Sequence, residues 1–249
     1  MRRSGQAAAI LDRLSSQHPG ADTELVFHSP FELLIATVLS AQTTDQRVNQ
    51  VMPALVERFP DARSLAAAPI AEVEGLVQPT GFFRQKSKTI VAAASVIVER
   101  FDARVPADMD SLVQLPGVGR KTANVVLGHA FGVPGFAVDR HVLRVANRLG
   151  LVASDDPEEV ERQVTSALPP ERWTVASDTL ILHGRRVCKP RPLCERCSAA
   201  DLCAFRASSG SGLPSKRRGS TSPVKRVPAP TAGSRGRRPP ARAARSRSR

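Results

Sequence analysis

A short glycine-containing turn between two helical patterns limits what this chain can fold into more than any other segment does. The turn lies in LPGVGRKTANVVLGHAFG, residues 115–132. Its glycines, Gly117 and Gly119, permit backbone angles and close approaches that a side chain would forbid. The amides at the start of the second helix then suit a phosphate, which they would bind without reading bases. An ordinary packing corner between two helices is the alternative for a bare Gly-x-Gly pattern.

The rest of the sequence, up to about residue 205, also favours helices. The run FELLIATVLS, residues 31–40, follows Ser29 and Pro30, a capping serine and a first-turn proline. Short separators with Gly or Pro divide the chain, and no segment alternates as a strand does. The sequence therefore predicts an all-α fold. Apolar residues at helical spacing predict further helices at about 45–58, 84–101, 108–115, 120–131, 138–149, 156–168 and 171–184.

Lys121 and Asp139 are the residues that could carry covalent chemistry. Lys121 lies in the first turn of the second hairpin helix, where the helix dipole is expected to lower the pKa of an ammonium group. The neutral amine is a nucleophile, although a phosphate contact is an equal alternative. Asp139 directly precedes a predicted helix, where an aspartate commonly serves as a helix cap. A P-loop is excluded because Arg120, and not glycine, precedes the lysine.

All four cysteines lie close together near the end of the helical region. They follow the spacing Cys188-x5-Cys194-x2-Cys197-x5-Cys203. Four thiols within sixteen residues, without an export signal, favour metal ligation over disulfides. Zinc sites more often pair two C-x-x-C units, and only one is present here, so an iron–sulfur cluster is preferred to zinc.

The positive charge of the chain is concentrated at its C-terminal end. Of the 36 Lys and Arg residues, twelve lie in residues 214–249, which contain no acid, whereas residues 1–213 carry 24 basic and 23 acidic side chains. The tail is rich in Arg, Pro, Ser and Gly, and it is predicted to be disordered and to attract polyanions, or only to solubilise the protein. No segment resembles a signal peptide or a membrane span, so a cytoplasmic location is expected.

Three motifs in the same order resemble the endonuclease III family of helix-hairpin-helix DNA glycosylases. They are LPGVGRKTANVVL, VDRHVLRVANRLGL, and LILHGRRVC with three further cysteines. The resemblance implies two helical domains with a DNA cleft between them and a 4Fe-4S cluster on the four cysteines. The implied divisions are a six-helix domain at 23–133, a cluster domain formed by 1–22 and 134–205, and a disordered basic tail at 206–249.

The resemblance also implies a role for each matched residue. Lys121 would attack the sugar C1′ and form a Schiff base, and Asp139 would assist the amine and stabilise positive charge on the sugar. Gln42 and Phe82 match side chains that fill the space left by a flipped base. Further DNA contacts are expected from Gly117, Gly119, Arg120 and His141. The chain departs from the family pattern in its first cysteine gap, which holds five residues instead of six.

These features together predict a bifunctional DNA glycosylase and AP lyase of base excision repair. The resemblance implies that the substrate is duplex DNA with oxidised pyrimidines or abasic sites. A cytoplasmic, nucleoid-associated monomer is expected. A monofunctional glycosylase is the nearest alternative, but it would not need Lys121. A non-catalytic DNA-binding module is another, and it would not need Lys121 and Asp139 together. A redox protein is disfavoured because no flavin or nicotinamide motif is present.

Overall fold

The computed structural model describes residues 4–209, and these residues form helices joined by short loops. The all-α prediction is confirmed, because the described part of the chain contains no strand. Residues 206–209, which the sequence assigned to the tail, end the last helix, and the rest of the predicted tail lies outside the described residues. The helices are α1 (Ser4–Gln17), α2 (Pro30–Leu39), α3 (Asp45–Arg58), α4 (Ala62–Ala66), α5 (Ile70–Val77), α6 (Phe83–Arg100), α7 (Met109–Leu112), α8 (Arg120–Ala130), α9 (Arg140–Leu149), α10 (Pro157–Thr165), α11 (Trp173–Arg186) and α12 (Ala204–Ser209).

Local capping explains where several of these helices begin and end. Ser29 accepts a hydrogen bond from the Glu32 amide, and Pro30 follows it in the first turn of α2, as the sequence predicted. Asp61 and Ser64 form a capping box at the start of α4, a helix that the apolar pattern did not indicate. Gly150 ends α9 in the left-handed conformation, with φ +76°.

Two hydrophobic cores organise the described residues. The first core draws its buried side chains from residues 25–137, and every residue of α2 from Leu33 to Leu39 is buried in it or beside it. The second core combines α1 with residues 136–199, around the fully buried Phe136. Burial of apolar surface in both cores supplies the main favourable free energy of folding. The described residues nevertheless belong to one compact unit, and the division into domains stays a prediction.

Seven helices, α2 to α8, lie between residues 30 and 130, whereas the resemblance implied six. Helix α7 is a single turn of four residues, shorter than the helix predicted at 108–115. Within the described residues, no helix is both long and apolar enough to cross a membrane.

Candidate functional site

Lys121 and Asp139 line the same cleft, which has a volume of about 500 Å³. Lys121 lies in the first turn of α8, a helix of the first core, and Asp139 begins α9 in the second core. Asp45, Asp178 and Arg185 also line this cleft. The structure therefore brings together the two predicted chemical groups and surrounds them with further charges.

Asp139 caps α9, as the simpler interpretation of its position predicted. Its Oδ1 atom accepts hydrogen bonds from the amides of His141, at 2.7 Å, and Val142, at 2.8 Å. Both amides donate to the same oxygen, Oδ1, so neither of these hydrogen bonds uses Oδ2. The cap fixes the position of the carboxylate, so the structural and chemical roles are compatible.

The pKa of Lys121 is lowered from its ordinary value. Burial among protein atoms is the main cause, and the positive charge of Arg185 adds to it. The negative charges of Asp139, Asp45 and Asp178 oppose this effect without cancelling it. The side chain still retains exposed surface inside the cleft, so an incoming reactant can reach the amine. The surroundings thus lower the pKa of an amine that remains accessible from the cleft.

His129 connects two carboxylates at one side of the cleft. Its Nδ1 atom lies 3.0 Å from Asp22 Oδ1, and its Nε2 atom lies 3.4 Å from Asp178 Oδ2. Burial of the imidazole acts to lower its pKa, but the hydrogen bond to Asp178 and the two negative charges raise the pKa overall. The raised pKa favours the protonated form of His129, and its two contacts join α8 to α11 and to the loop after α1.

Arg185 forms a second charged bridge across the same cleft. One guanidinium nitrogen lies 2.5 Å from Glu24 Oε2 and 2.9 Å from Asp45 Oδ2. These contacts tie α11 to the start of α3 and to the segment before α2. No role was predicted for Asp45, His129, Asp178 or Arg185, because their pairing depends on segments that are distant in the chain.

Gln42, Phe82 and Gly117 surround a separate cavity of about 660 Å³. Gln42, with φ +56°, and Phe82, with φ +48°, both have left-handed backbone conformations, which cost energy for residues with side chains. Phe82 is 68% exposed, which is unusual for a large aromatic side chain. The two residues predicted to enter the duplex thus lie beside one opening, held in strained conformations.

The two hairpin glycines differ in what their surroundings require. Gly117 has φ +77°, and a Cβ atom there would lie 2.2 Å from the Cγ2 atom of Thr89. Gly119 has an ordinary φ of −94°, and a Cβ atom there would have no neighbour within 4 Å in the part of the chain that the structure describes. Among residues 4–209, no side chain caps the amides that begin α8. The open face at Gly119 and these amides leave room for a phosphate.

The other two predicted DNA contacts already have partners within the protein. Arg120 forms a bidentate ion pair with Glu161 of α10, with both N–O distances at 2.8 Å. The Nδ1 atom of His141 lies 3.1 Å from a guanidinium nitrogen of Arg144. Burial, helped by the positive charges of Arg144 and Arg140, lowers the pKa of His141, although Asp139 opposes this effect.

The four cysteines line one cavity of about 340 Å³. All four are half-buried free thiols, and no carboxylate lines the cavity. No three of the sulfur atoms lie within 4.8 Å of one another. A tetrahedral zinc site with Zn–S bonds of about 2.3 Å would need sulfurs about 3.8 Å apart. The thiols therefore converge, but at a spacing wider than a single zinc ion requires.

Two arginines of α9 hold the short first cysteine loop. Arg148 donates hydrogen bonds to the carbonyls of Lys189, at 2.6 Å, and Pro190, at 3.0 Å. Arg144 donates to the carbonyl of Cys188 at 3.0 Å. The one-residue shortening of this loop therefore leaves all four cysteines facing the same cavity.

Comparison with known proteins defines the class to which this chain belongs. A family model described as "HhH-GPD superfamily base excision DNA repair protein" matches residues 35–170, which include the hairpin, Lys121 and Asp139. Endonuclease III of Synechocystis sp. is 50% identical over 200 residues, which cover 80% of this chain and 91% of that protein. The chain belongs to the endonuclease III family, as its motifs predicted.

Two solved structures are similar over the same region. The protein in a non-covalent endonuclease III–DNA complex is 40% identical in sequence, with a TM-score of 0.79. The match covers 84% of this chain and 99% of that protein's chain. The protein in a trapped endonuclease III–DNA covalent intermediate is also 40% identical, with a TM-score of 0.80. That match covers 84% of this chain and 100% of that protein's chain.

Proposed function

We propose that the protein is a bifunctional DNA glycosylase and AP lyase of base excision repair. It removes oxidised pyrimidines from duplex DNA, acts on abasic sites, and nicks the strand. The observation that carries this proposal is the shared cleft of Lys121 and Asp139, in which the pKa of the lysine is lowered. Family membership supports the same reaction, because a related endonuclease III has been trapped as a covalent intermediate with DNA.

The chemistry follows from an amine of lowered pKa in the same cleft as a carboxylate. The Nζ atom of Lys121 attacks the sugar C1′, forms a C–N bond and displaces the damaged base with the bonding electron pair. Asp139 stabilises the positive charge that develops on the sugar and assists transfer of the amine proton. Opening of the sugar ring gives a protonated Schiff base. Loss of a C2′ proton then breaks the C3′–O bond by β-elimination and cleaves the strand.

The target base must leave the duplex to enter this cleft, and the residues that line the cavity of Gln42, Phe82 and Gly117 could replace it in the base stack. We assign Gln42 and Phe82 the task of filling the stack after the nucleotide leaves it. The exposed ring of Phe82 and the left-handed backbone of both residues support this assignment. The hairpin at Gly117 and Gly119 would hold the phosphate backbone through amides, without sequence preference.

Arg120 and His141 act as DNA contacts in this proposal in different ways. Arg120 would have to share or leave its ion pair with Glu161 to reach a phosphate. His141 lies in the first turn of α9, where its backbone amide already donates a hydrogen bond to the Asp139 carboxylate. Because the pKa of its imidazole is lowered, His141 would contact DNA mainly through hydrogen bonds.

We propose that Cys188, Cys194, Cys197 and Cys203 hold a 4Fe-4S cluster. The all-thiol donor set, the cavity and the wide sulfur spacing support a cluster in preference to zinc. When bound, the cluster supplies a rigid cross-link within the second core and a one-electron redox centre. We also propose that the two cores correspond to the domains predicted from the sequence, and that the protein works as a monomer on cytoplasmic, nucleoid-associated DNA.

Borohydride trapping tests the proposed reaction. Duplex DNA with thymine glycol or an abasic site is mixed with wild type and with Lys121→Ala in the presence of borohydride. Wild type should give a covalent adduct, and the variant should give none, because the Schiff base needs the Nζ atom. Lys88→Ala is the matched control, since Lys88 is an exposed lysine of α6 and should leave trapping unchanged.

The substitution Asp139→Asn distinguishes the proposed chemical role of Asp139 from its role as the cap of α9. Asparagine keeps an oxygen that can cap α9, so the fold should survive while the charge is lost. We expect trapping to slow by about 100-fold or more. Wild-type protein that binds the damaged duplex but forms no adduct would instead indicate a monofunctional glycosylase or a DNA-binding module.

A further inference from the structure

Two buried histidines connect the first helix of the chain to the cysteine cavity. His18 follows α1 and is 6% exposed, whereas His183 lies in α11 and is 1% exposed. Their rings meet edge to face, with His18 Nε2 3.1 Å from His183 Nδ1. The other ring nitrogen of His183, Nε2, lies 3.5 Å from the sulfur of Cys197. The atoms form a continuous chain from His18 to a cysteine sulfur.

The backbone fixes His183 against the same cavity. Its carbonyl accepts hydrogen bonds from the amides of Val187 and Cys188, both at 2.8 Å. His183 also lines the cysteine cavity directly. The imidazole is itself 1% exposed and contacts His18 through Nδ1, so it has little freedom to turn its Nε2 atom away from the sulfur.

The negative charge of a metal-bound Cys197 would determine which ring nitrogens of His183 and His18 carry protons. A neutral imidazole has one N–H donor and one lone-pair acceptor. Cysteine loses its proton when it binds iron, so an Nε2 lone pair would face an anionic sulfur, which is repulsive. The proton of His183 must then be on Nε2, and its Nδ1 atom must accept. His18 in turn must donate from its own Nε2 atom.

We propose that His183 and His18 form an outer hydrogen-bonding shell of the cluster that raises its reduction potential. His183 donates to the Cys197 sulfur, and His18 is a positioning residue that fixes the tautomer of His183. Reduction adds negative charge to the cluster and its sulfurs, and a hydrogen bond to a sulfur stabilises that added charge. This inference rests on the proposed 4Fe-4S cluster, and it concerns the tuning of the cluster and not the glycosylase reaction.

The test measures the midpoint potential of the purified, cluster-loaded full chain by voltammetry, with pulsed electron paramagnetic resonance as a second measurement. His183→Phe should shift the potential to a more negative value and remove a weak nitrogen coupling to the cluster. His18→Leu should shift the potential in the same direction by less, and His18→Gln, which can still donate, should restore it. His28→Leu is the matched control, because His28 is exposed and does not line the cysteine cavity.

The outcomes distinguish an error in the proposed hydrogen-bonding shell from an error in the proposed cofactor. Wild-type protein that binds no iron would overturn both. A cluster with the same potential in wild type, His183→Phe and His18→Leu would overturn the hydrogen-bonding shell alone. If His183→Phe loses the cluster altogether, the comparison of His18→Leu with His18→Gln decides, because neither change touches the cysteine cavity.

Discussion

Replacing Gly117 with alanine should destabilise the protein strongly, and the structure divides the cost into two parts. The left-handed φ of +77° costs a residue with a side chain about 1–2 kcal/mol. The new Cβ atom would also lie 2.2 Å from Thr89 Cγ2, and relief of such overpacking typically costs about 1–3 kcal/mol. We therefore expect Gly117→Ala to lower the free energy of unfolding by about 2–5 kcal/mol.

A second substitution isolates the steric part of that cost. Thr89→Ser removes the clashing methyl group and keeps the hydroxyl that donates to the Gln85 carbonyl at 2.8 Å. The nearest remaining atoms, Val38 Cγ1 at 3.6 Å and Thr89 Cβ at 3.7 Å, are at ordinary contact distances. In the Thr89→Ser background, Gly117→Ala should therefore cost only the backbone strain, about 1–2 kcal/mol.

Urea unfolding of the four proteins in this double-mutant cycle provides the measurement, with each free energy extrapolated to water. An additive result, with equal cost of Gly117→Ala in both backgrounds within about 0.5 kcal/mol, would refute the steric argument. Gly119→Ala is the matched control. It should change stability by less than about 1 kcal/mol, because its φ is ordinary and its Cβ atom meets nothing, but it should weaken binding to an abasic-site duplex. Unchanged binding would mean that no phosphate approaches this face.

Two further predictions concern charge. His129→Gln should cost on the order of 3 kcal/mol at pH 6, because it leaves the buried Asp178 without its cation. The raised pKa of His129 means that its contribution is complete below about pH 6.5 and fades as the pH rises through the folded-state pKa, so the deficit should shrink at pH 9. Equal deficits in urea unfolding at both pH values would contradict an ionised bridge. Deletion after Leu213 removes twelve basic residues and should weaken DNA affinity and flatten its salt dependence, with little loss of single-turnover rate. An unchanged salt dependence in anisotropy titrations would exclude a role for the tail in DNA binding.

The helices that the sequence predicted best are those with local signals at their ends. The prediction at 45–58 matches α3, and the serine and proline before α2 act as predicted. Helices α4 and α5 were not predicted, because five and eight residues are too few to establish an apolar period, and Pro69 separates them. Apolar periodicity therefore locates the long helices, whereas α4 is too short to show a period, although a capping box begins it.

The candidate site shows a similar limit at the level of charged pairs. Lys121 and Asp139 could be chosen from their positions at the beginnings of helices. Asp178 offered one local indication that the sequence analysis did not use, since it is the only acidic residue of α11. Its partner, His129, has no local pattern that indicates pairing. Ion pairs between distant segments depend on the tertiary fold, so a single sequence does not specify them.

The loop between α8 and α9 explains how Lys121 and Asp139 keep a fixed relation across eighteen residues of chain. A Cβ atom at Gly135 would lie 2.5 Å from the Asn124 carbonyl oxygen, so only glycine lets the loop pack against α8. The Asn124 side chain donates to the Phe136 carbonyl at 3.2 Å, and Ser177 of α11 donates to the Ala137 carbonyl at 2.8 Å. The loop is thus held from both cores immediately before Asp139. Because the same segment joins the cores and ends at the carboxylate, the packing that builds the fold also sets the position of the candidate catalytic pair.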